Sequence, residues 1–93
     1  MKIRWTVPAT RDLASIFRYI CKDKPGAARH VKASISEQVS TLASMPFRGR
    51  IGSVDGTREM IFHPWPYIAV YRVLSDEVQI IRIRHAAQEW PLG

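Results

Sequence analysis

Apolar residues repeat with the period of an α-helix through the first half of the chain. Five apolar side chains fall at i, i+3, i+4, i+7 and i+8 and so share one helix face: Leu13, Ile16, Phe17, Ile20 and Cys21. Pro8 suits the first turn of this helix. A Pro-Gly pair at 25–26 breaks the pattern, a second apolar repeat follows over 31–42, and Pro46 stops it. Two helices joined by so short a break predict an antiparallel hairpin.

The rest of the chain alternates with the period of two that is typical of β-strands. Four strands are predicted, at residues 2–6, 57–62, 67–74 and 77–84. Strict alternation puts Val78, Ile80, Arg82 and Arg84 on one side of the last strand. The order predicts an α+β fold, β-α-α-β-β-β, with an N-terminal helical hairpin packed on a small, largely antiparallel four-stranded sheet. The second face of that sheet is either solvated or a working surface.

Length and composition limit the class of protein. A chain of 93 residues predicts a single domain over 1–93, and 46% apolar residues are enough for a core. No apolar run is long enough to span a membrane, and no secretory signal follows the N-terminus. Cys21 is the single cysteine, which excludes an internal disulfide. We therefore expect a small, basic protein of a reducing compartment that does not span a membrane.

Charge adds a candidate binding surface. Lys and Arg number 14 against 8 acidic residues, a net charge of +6, and most of the basic residues are Arg. Arg suits planar contacts to phosphate or carboxylate groups. Arg11, Arg18 and Lys22 are spaced at i, i+7 and i+11, on the helix face opposite the apolar one. This basic stripe is either a solvated helix face or a docking surface for an acidic segment of a partner.

Metal and cofactor chemistry finds little support in the sequence. His30, His63 and His85 fall in three different predicted elements, and none has a carboxylate at ligand spacing. The glycines of 49–52 do not lie between a strand and a helix, as a phosphate-binding loop requires. We therefore expect no metal and no cofactor.

A cluster of arginine, histidine and aromatic residues is the remaining chemical signal. Its members are Arg58, Tyr71, Arg72, Arg82, Arg84, His85 and Trp90. Such a set is able to cleave RNA without metal, because arginines stabilise the pentavalent phosphate and a group such as His85 transfers a proton. The alternative is structural: the arginines pair with Glu59, Glu77 or Glu89, and His85 only caps the end of the sheet.

Three patterns in the C-terminal half occur in a specific order and spacing. They are Gly56-Thr57-Arg58-Glu59, Pro66-Tyr67-Ile68-Ala69-Val70-Tyr71-Arg72-Val73, and His85 followed by Trp90-Pro91. Together with the upstream helical hairpin, they resemble the RelE/ParE superfamily of toxins from type II toxin–antitoxin modules. The resemblance implies a cytoplasmic bacterial protein neutralised by a cognate antitoxin of ParD or RelB type. The antitoxin tail is then expected on the basic stripe, at Arg11, Arg18 and Lys22.

The resemblance also implies one of two targets. RelE-like members cut mRNA on the ribosome, and ParE-like members poison DNA gyrase. Ile68 occupies the position where the ribonucleases commonly carry an arginine, and Arg58 and Met60 stand where several carry two lysines. These differences favour a ParE-like, non-enzymatic inhibitor of gyrase that contacts its target through Arg72, Arg84 and Trp90. The alternatives are a ribosome-dependent mRNA endoribonuclease that uses Arg58, Arg82 and His85, or a module that only binds its antitoxin.

Overall fold

The computed structural model describes residues 1–91, which form two helices and one sheet. In chain order the elements are β1 (Lys2–Trp5), α1 (Val7–Cys21), α2 (Pro25–Ser40), a 3₁₀ turn (Thr41–Ala43), β2 (Arg50–Ile51), β3 (Arg58–Ile61), β4 (Tyr67–Val73) and β5 (Glu77–His85). The predicted α+β class and the helical hairpin are confirmed.

The helices begin where local chemistry favours it. Thr6 is the N-cap of α1, and its hydroxyl oxygen accepts a hydrogen bond from Ala9 N–H at 3.2 Å. The same hydroxyl donates to Ile81 O at 2.9 Å, which fixes the start of α1 against β5. Pro8 and Pro25 lie in the first turns of α1 and α2, where the missing N–H of proline costs nothing.

The sheet has the strand order β1-β5-β4-β3-β2. β1 runs parallel to β5, and the other neighbouring strands are antiparallel. The sheet therefore has five strands and not the predicted four. The additional strand, β2, has only two residues, which pair with Arg58 and Glu59 of β3. So short a strand between Gly49 and Gly52 has no alternation by which sequence reasoning can detect it.

A β-bulge in β5 changes which side chains share a face. Tyr71 of β4 pairs with Ile80, but the preceding Val70 pairs with Arg82, so Ile81 is the extra residue. As a consequence Ile80 and Ile83 both enter the core, and Arg82 and Arg84 point to the other side of the sheet. The prediction of a single shared side was therefore wrong, because an inserted residue shifts the period of two.

The helical hairpin covers one face of the sheet, and the core lies between them. Its buried members come from both layers: Ala9, Val31, Ile35, Val39 and Leu42 from the helical side, and Met60, Phe62, Tyr67, Ala69, Tyr71, Val78, Ile80 and Ile83 from the sheet side. Trp65 packs against this cluster and donates its indole N–H to Ser34 Oγ at 3.0 Å. The opposite side of the sheet has no helix over it.

Candidate functional site

The sheet face away from the helices, called the open face below, combines arginines with a buried acid. Its members on β3, β4 and β5 include Glu59, Ile61, Ile68, Val70, Arg72, Arg82 and Arg84. Ile68 and Val70 are buried, and their cross-strand partners are Arg84 and Arg82. The aliphatic stems of two arginines thus flank the apolar centre of this face.

Arg82 forms an ion pair with a carboxylate of α1. Its Nε lies 2.7 Å from Asp12 Oδ2 and its Nη2 lies 3.0 Å from Asp12 Oδ1, which is a two-point ion pair. The Ile83 N–H donates to the same carboxylate at 2.9 Å. These hydrogen bonds raise the pKa of Arg82 above its ordinary value. The guanidinium therefore joins the edge of the sheet to α1 and is not free to hold a phosphate.

Arg84 is paired with Glu59, a carboxylate that it shares with Arg50. The carboxylate of Glu59 is only 4% exposed and lies 2.9 Å from Arg50 Nη2 and 3.3 Å from Arg84 Nη2. Burial alone raises the pKa of Glu59, but hydrogen bonds from Arg50 and the Ser53 N–H, together with the charge of Arg84, outweigh burial and hold the pKa below its usual range. Glu59 is thus an ionised, buried carboxylate between two guanidinium groups.

Trp90 lies beside this cluster. Arg50, Ser53, Glu59, Arg84 and Trp90 all line a shallow depression of about 410 Å³ on the open face. Arg84 Nη1 is 3.5 Å from the carbonyl oxygens of His85 and Gln88, so the guanidinium also touches the segment that leads to Trp90. Of the residues predicted to contact the target, Arg84 and Trp90 are thus neighbours, with Arg84 largely buried.

Arg72 lies at the other end of the open face. Its register partner on β5 is Gln79, and its Nε is 3.4 Å from Gly56 O. Arg72 is four positions along β4 from Ile68, the partner of Arg84. Four positions correspond to a distance of about 13 Å along a strand. Within residues 1–91, no carboxylate forms an ion pair with Arg72.

Arg58 belongs to the opposite face of the sheet. It pairs with Tyr71 in the register, and its Nη1 donates to Gly49 O at 2.9 Å. Its guanidinium lies 5.0 Å from the ring centre of Phe47, whose side chain is 62% exposed. Phe47, Ile51 and Val73 line a groove of about 250 Å³ beside it. Arg58 therefore organises the loop before β2 and does not face Arg82.

His85 lies at the far end of the helix-covered face. Its ring meets that of Tyr67 edge-on, with 5.5 Å between ring centres, and its Nδ1 accepts the Ala87 N–H at 3.0 Å. Because Nδ1 accepts, the neutral ring carries its proton on Nε2. The partners of Arg58 and His85, Tyr71 and Tyr67, are about 13 Å apart along β4.

The structure therefore does not bring the three candidate catalytic residues together. Arg58 and His85 lie at opposite ends of one face, and Arg82 lies on the other face in an ion pair with Asp12. Sequence reasoning missed Asp12 altogether and named Glu59 only as one of three possible pairing acids. No local signal points to Asp12, since 70 residues of chain separate it from Arg82.

The basic stripe of α1 is exposed, as its spacing predicts. Arg11, Arg18 and Lys22 are all exposed, and in residues 1–91 none of them forms an ion pair. Arg18 donates to Ser15 Oγ of the same helix at 3.2 Å. In the part of the chain that the structure describes, no group of three His, Cys, Asp or Glu residues is arranged to hold a metal ion. No helix there is long and apolar enough to cross a membrane.

Known proteins are similar to this sequence along almost its whole length. Residues 3–90 match the family described as "ParE toxin of type II toxin-antitoxin system, parDE". The putative toxin Y4kP of Sinorhizobium fredii is 46% identical over 90 residues, which cover 97% of this chain and 93% of that one. Toxin RelE2 of Caulobacter vibrioides is 37% identical over 87 residues, covering 94% and 97%.

A solved structure shares both the fold and part of the sequence. The chromosomal ParDE toxin–antitoxin system from P. aeruginosa contains a chain that superimposes with a TM-score of 0.84 at 33% identity, covering 91% of this chain and 95% of that one. The protein is thus a toxin of the type II toxin–antitoxin class, within the RelE/ParE superfamily that its motifs resemble. Within that class, the chain belongs to the ParE toxin family.

Proposed function

We propose that this chain is a non-enzymatic toxin that inhibits DNA gyrase in the bacterial cytoplasm and is neutralised by a cognate ParD-like antitoxin. The family match and the likeness to a ParDE system support this proposal. They do so together with one structural observation, the pairing of Arg82 and Arg84 with carboxylates of the same chain.

The choice between gyrase and the ribosome as the target rests on the carboxylate partners of Arg82 and Arg84. A metal-independent ribonuclease needs unpaired positive charge aimed at the scissile phosphate, because that charge stabilises the transition state. Arg82 is bound to Asp12, and Arg84 is bound to a carboxylate that is nine-tenths buried or more. Ile68, which pairs with Arg84 and stands at the position of the ribonuclease arginine, is buried and apolar. A face of this kind suits contact with a protein better than phosphate chemistry.

Arg72 and Trp90 are the groups on the open face that are best suited to contact the target. Arg72 has no acidic partner within residues 1–91, and Trp90 is partly exposed beside the depression. Arginine and tryptophan are enriched among the residues that contribute most to protein–protein affinity. Arg84 contributes indirectly, through its contacts with the chain before Trp90.

A supercoiling assay with purified gyrase tests the proposal. We expect the chain to inhibit supercoiling and to trap cleaved DNA, and we expect stoichiometric antitoxin to reverse both effects. Arg72→Ala is expected to raise the inhibitory concentration about tenfold, as for a residue of high binding energy. Arg29→Ala, an exposed arginine on α2, is the matched control and is expected to behave as wild type. Full gyrase activity at a large excess of folded chain would rule the proposal out.

The antitoxin is expected to bind the basic stripe through an acidic segment. Arg11, Arg18 and Lys22 are exposed and unpaired within residues 1–91, and charge complementarity steers and orients such a partner. The double variant Arg11→Glu/Arg18→Glu is expected to weaken antitoxin binding in calorimetry by at least about tenfold. Arg72→Glu, on the opposite layer, is the control and retains affinity. If Arg11→Glu/Arg18→Glu binds the antitoxin as tightly as Arg72→Glu does, the assignment of the antitoxin to the basic stripe is wrong.

A ribosome-dependent endoribonuclease is the second candidate. The observation that favours it is His85, which is exposed and whose Nδ1 accepts the Ala87 N–H, so that its Nε2–H is able to donate a hydrogen bond to a phosphate oxygen. One relative also carries the name Toxin RelE2. Primer extension on mRNA from induced cells tests it: cuts within translated codons that disappear in His85→Gln support this candidate, and intact transcripts remove it.

A further inference from the structure

Glu59 connects three separate parts of the open face. It belongs to β3, its carboxylate accepts from Arg50 of β2 at 2.9 Å, and it accepts from the Ser53 N–H at 3.4 Å. Its third contact is Arg84 of β5 at 3.3 Å. One buried carboxylate thus holds the edge strand, the loop after it and the last strand of the sheet.

Arg84 extends this connection to the C-terminal segment. Its side chain is only 11% exposed, and its Nη1 lies near the carbonyl oxygens of His85 and Gln88. Beyond Gln88, Trp90 lines the same depression as Glu59. Within residues 1–91, neither its buried indole N–H nor the buried Arg84 Nε has a hydrogen-bond partner. Two unsatisfied buried donors oppose this arrangement, so the contacts that hold the segment in place must outweigh them.

We propose that Glu59 is a positioning residue for target inhibition: through Arg84 it holds the segment that carries Trp90, and through Arg50 and Ser53 it holds the loop after β2, so that both are presented to the target in one arrangement. This inference rests on the proposed function, because it assigns Trp90 to the target interface. Glu59 itself is buried and does not touch the target.

The negative charge of Glu59 is what keeps the largely buried Arg84 in place. A buried guanidinium that loses its carboxylate is strongly destabilised, because the charge remains without compensation. Glu59→Gln keeps the size of the side chain and an oxygen for the Ser53 N–H but removes the charge. Arg84 is then expected to turn toward water and to release the carbonyl groups of the C-terminal segment. The Ser53 N–H then donates to a neutral oxygen in place of a charged one, which weakens the hold on the loop after β2.

Local hydrogen exchange and gyrase inhibition, measured on the same full-length variants, test the inference. In Glu59→Gln we expect faster exchange at the Gln88 and Ser53 amides, and an inhibitory concentration at least about tenfold higher. Glu77→Gln is the matched control, because it removes the carboxylate of another Arg–Glu pair, that with Arg4. We expect wild-type exchange and inhibition in the control.

The double variant Glu59→Gln/Arg84→Gln separates positioning from stability. It leaves no lone buried charge, so its melting temperature is expected to recover toward wild type. Exchange at Gln88 is expected to stay fast and inhibition to stay weak, because the ionic contact is absent. If inhibition recovers together with the melting temperature, Glu59 is only a stabilising residue and the proposal is overturned.

The same experiment distinguishes failure of the inference from failure of the proposed function. If the wild-type chain does not inhibit gyrase, the proposed function is wrong, and the positioning role in target inhibition is withdrawn with it. If the wild-type chain inhibits and Glu59→Gln inhibits equally well, the proposed function stands and the role of Glu59 is refuted.

Discussion

The hydroxyl of Tyr71 forms hydrogen bonds with two backbone groups of the loop before β2. Within residues 1–91, neither group has another backbone partner. The hydroxyl accepts the Gly49 N–H at 2.9 Å and donates to Pro46 O at 2.8 Å, and the side chain is fully buried. The loop before β2, which carries Phe47, is thereby fixed against the centre of β4. Tyr71→Phe removes only this hydroxyl and keeps the ring in the core.

The expected cost follows from the two hydrogen bonds. Leaving a buried donor or acceptor unpaired costs about 1–3 kcal/mol, so the loss of both hydrogen bonds is expected to cost roughly 2–6 kcal/mol. For a domain of this size, 1 kcal/mol corresponds to about 4–8 °C in melting temperature. We therefore expect the melting temperature to fall by at least about 8 °C. The free-energy cost itself is a large part of the roughly 5–15 kcal/mol that stabilises a typical domain.

Thermal unfolding followed by circular dichroism measures the effect. Tyr19→Phe is the matched control, because Tyr19 is 71% exposed and its loss of a hydroxyl is expected to change little. A Tyr71→Phe chain that melts within about 4 °C of wild type would refute the reasoning. It would mean that the two backbone groups find other partners, and that the hydroxyl does not hold the loop.

Three further predictions concern the open face and its edge. Ile68→Ala, which truncates a buried side chain, is expected to cost about 2–4 kcal/mol in urea unfolding while inhibition per folded molecule stays unchanged; lost inhibition at full folding would contradict this. Asp12→Asn breaks the ion pair with Arg82 and is expected to cost about 1–3 kcal/mol in the same assay, whereas Asp23→Asn, in the turn between the helices, costs little; equal costs would contradict it. Because the folded pKa of Glu59 lies below its ordinary value of 4.5, its contribution to stability is present above that pH and is lost as the pH falls through the folded pKa. A stability–pH curve with the same acid limb in Glu59→Gln would count against this assignment.

The helices and the long strands were predictable because their signals are local. Proline in the first turn of each helix and the apolar period of each helix lie within a few residues of one another. The strands β4 and β5 carry dense β-branched and aromatic residues on both sides of a tight turn. These features predicted the hairpin, the α+β class and most of the sheet.

The site was less predictable because its contacts are distant in sequence or depend on one residue of register. The bulge at Ile81 turns Arg82 and Arg84 to the open face, and no periodicity reveals an inserted residue before the pairing is known. The partners of both arginines, Asp12 and Glu59, lie 70 and 25 residues away. The sequence therefore indicated which side chains matter but not which of them are already neutralised.

The parallel pairing of β1 with β5 has a consequence for how this toxin is made. Lys2–Trp5 pair with Glu77–Ile80, so β1 has no partner until residues 77–80 have been synthesised. Bringing β1 next to β5 closes a long loop and therefore costs chain entropy. Only the contacts with β5 compensate this cost, which slows folding. An interrupted chain that lacks β5 would leave β1 unpaired and α1 without the sheet against which it packs. We therefore expect termination before β5 to give unfolded products and not partly active ones, so that growth arrest requires translation through β5.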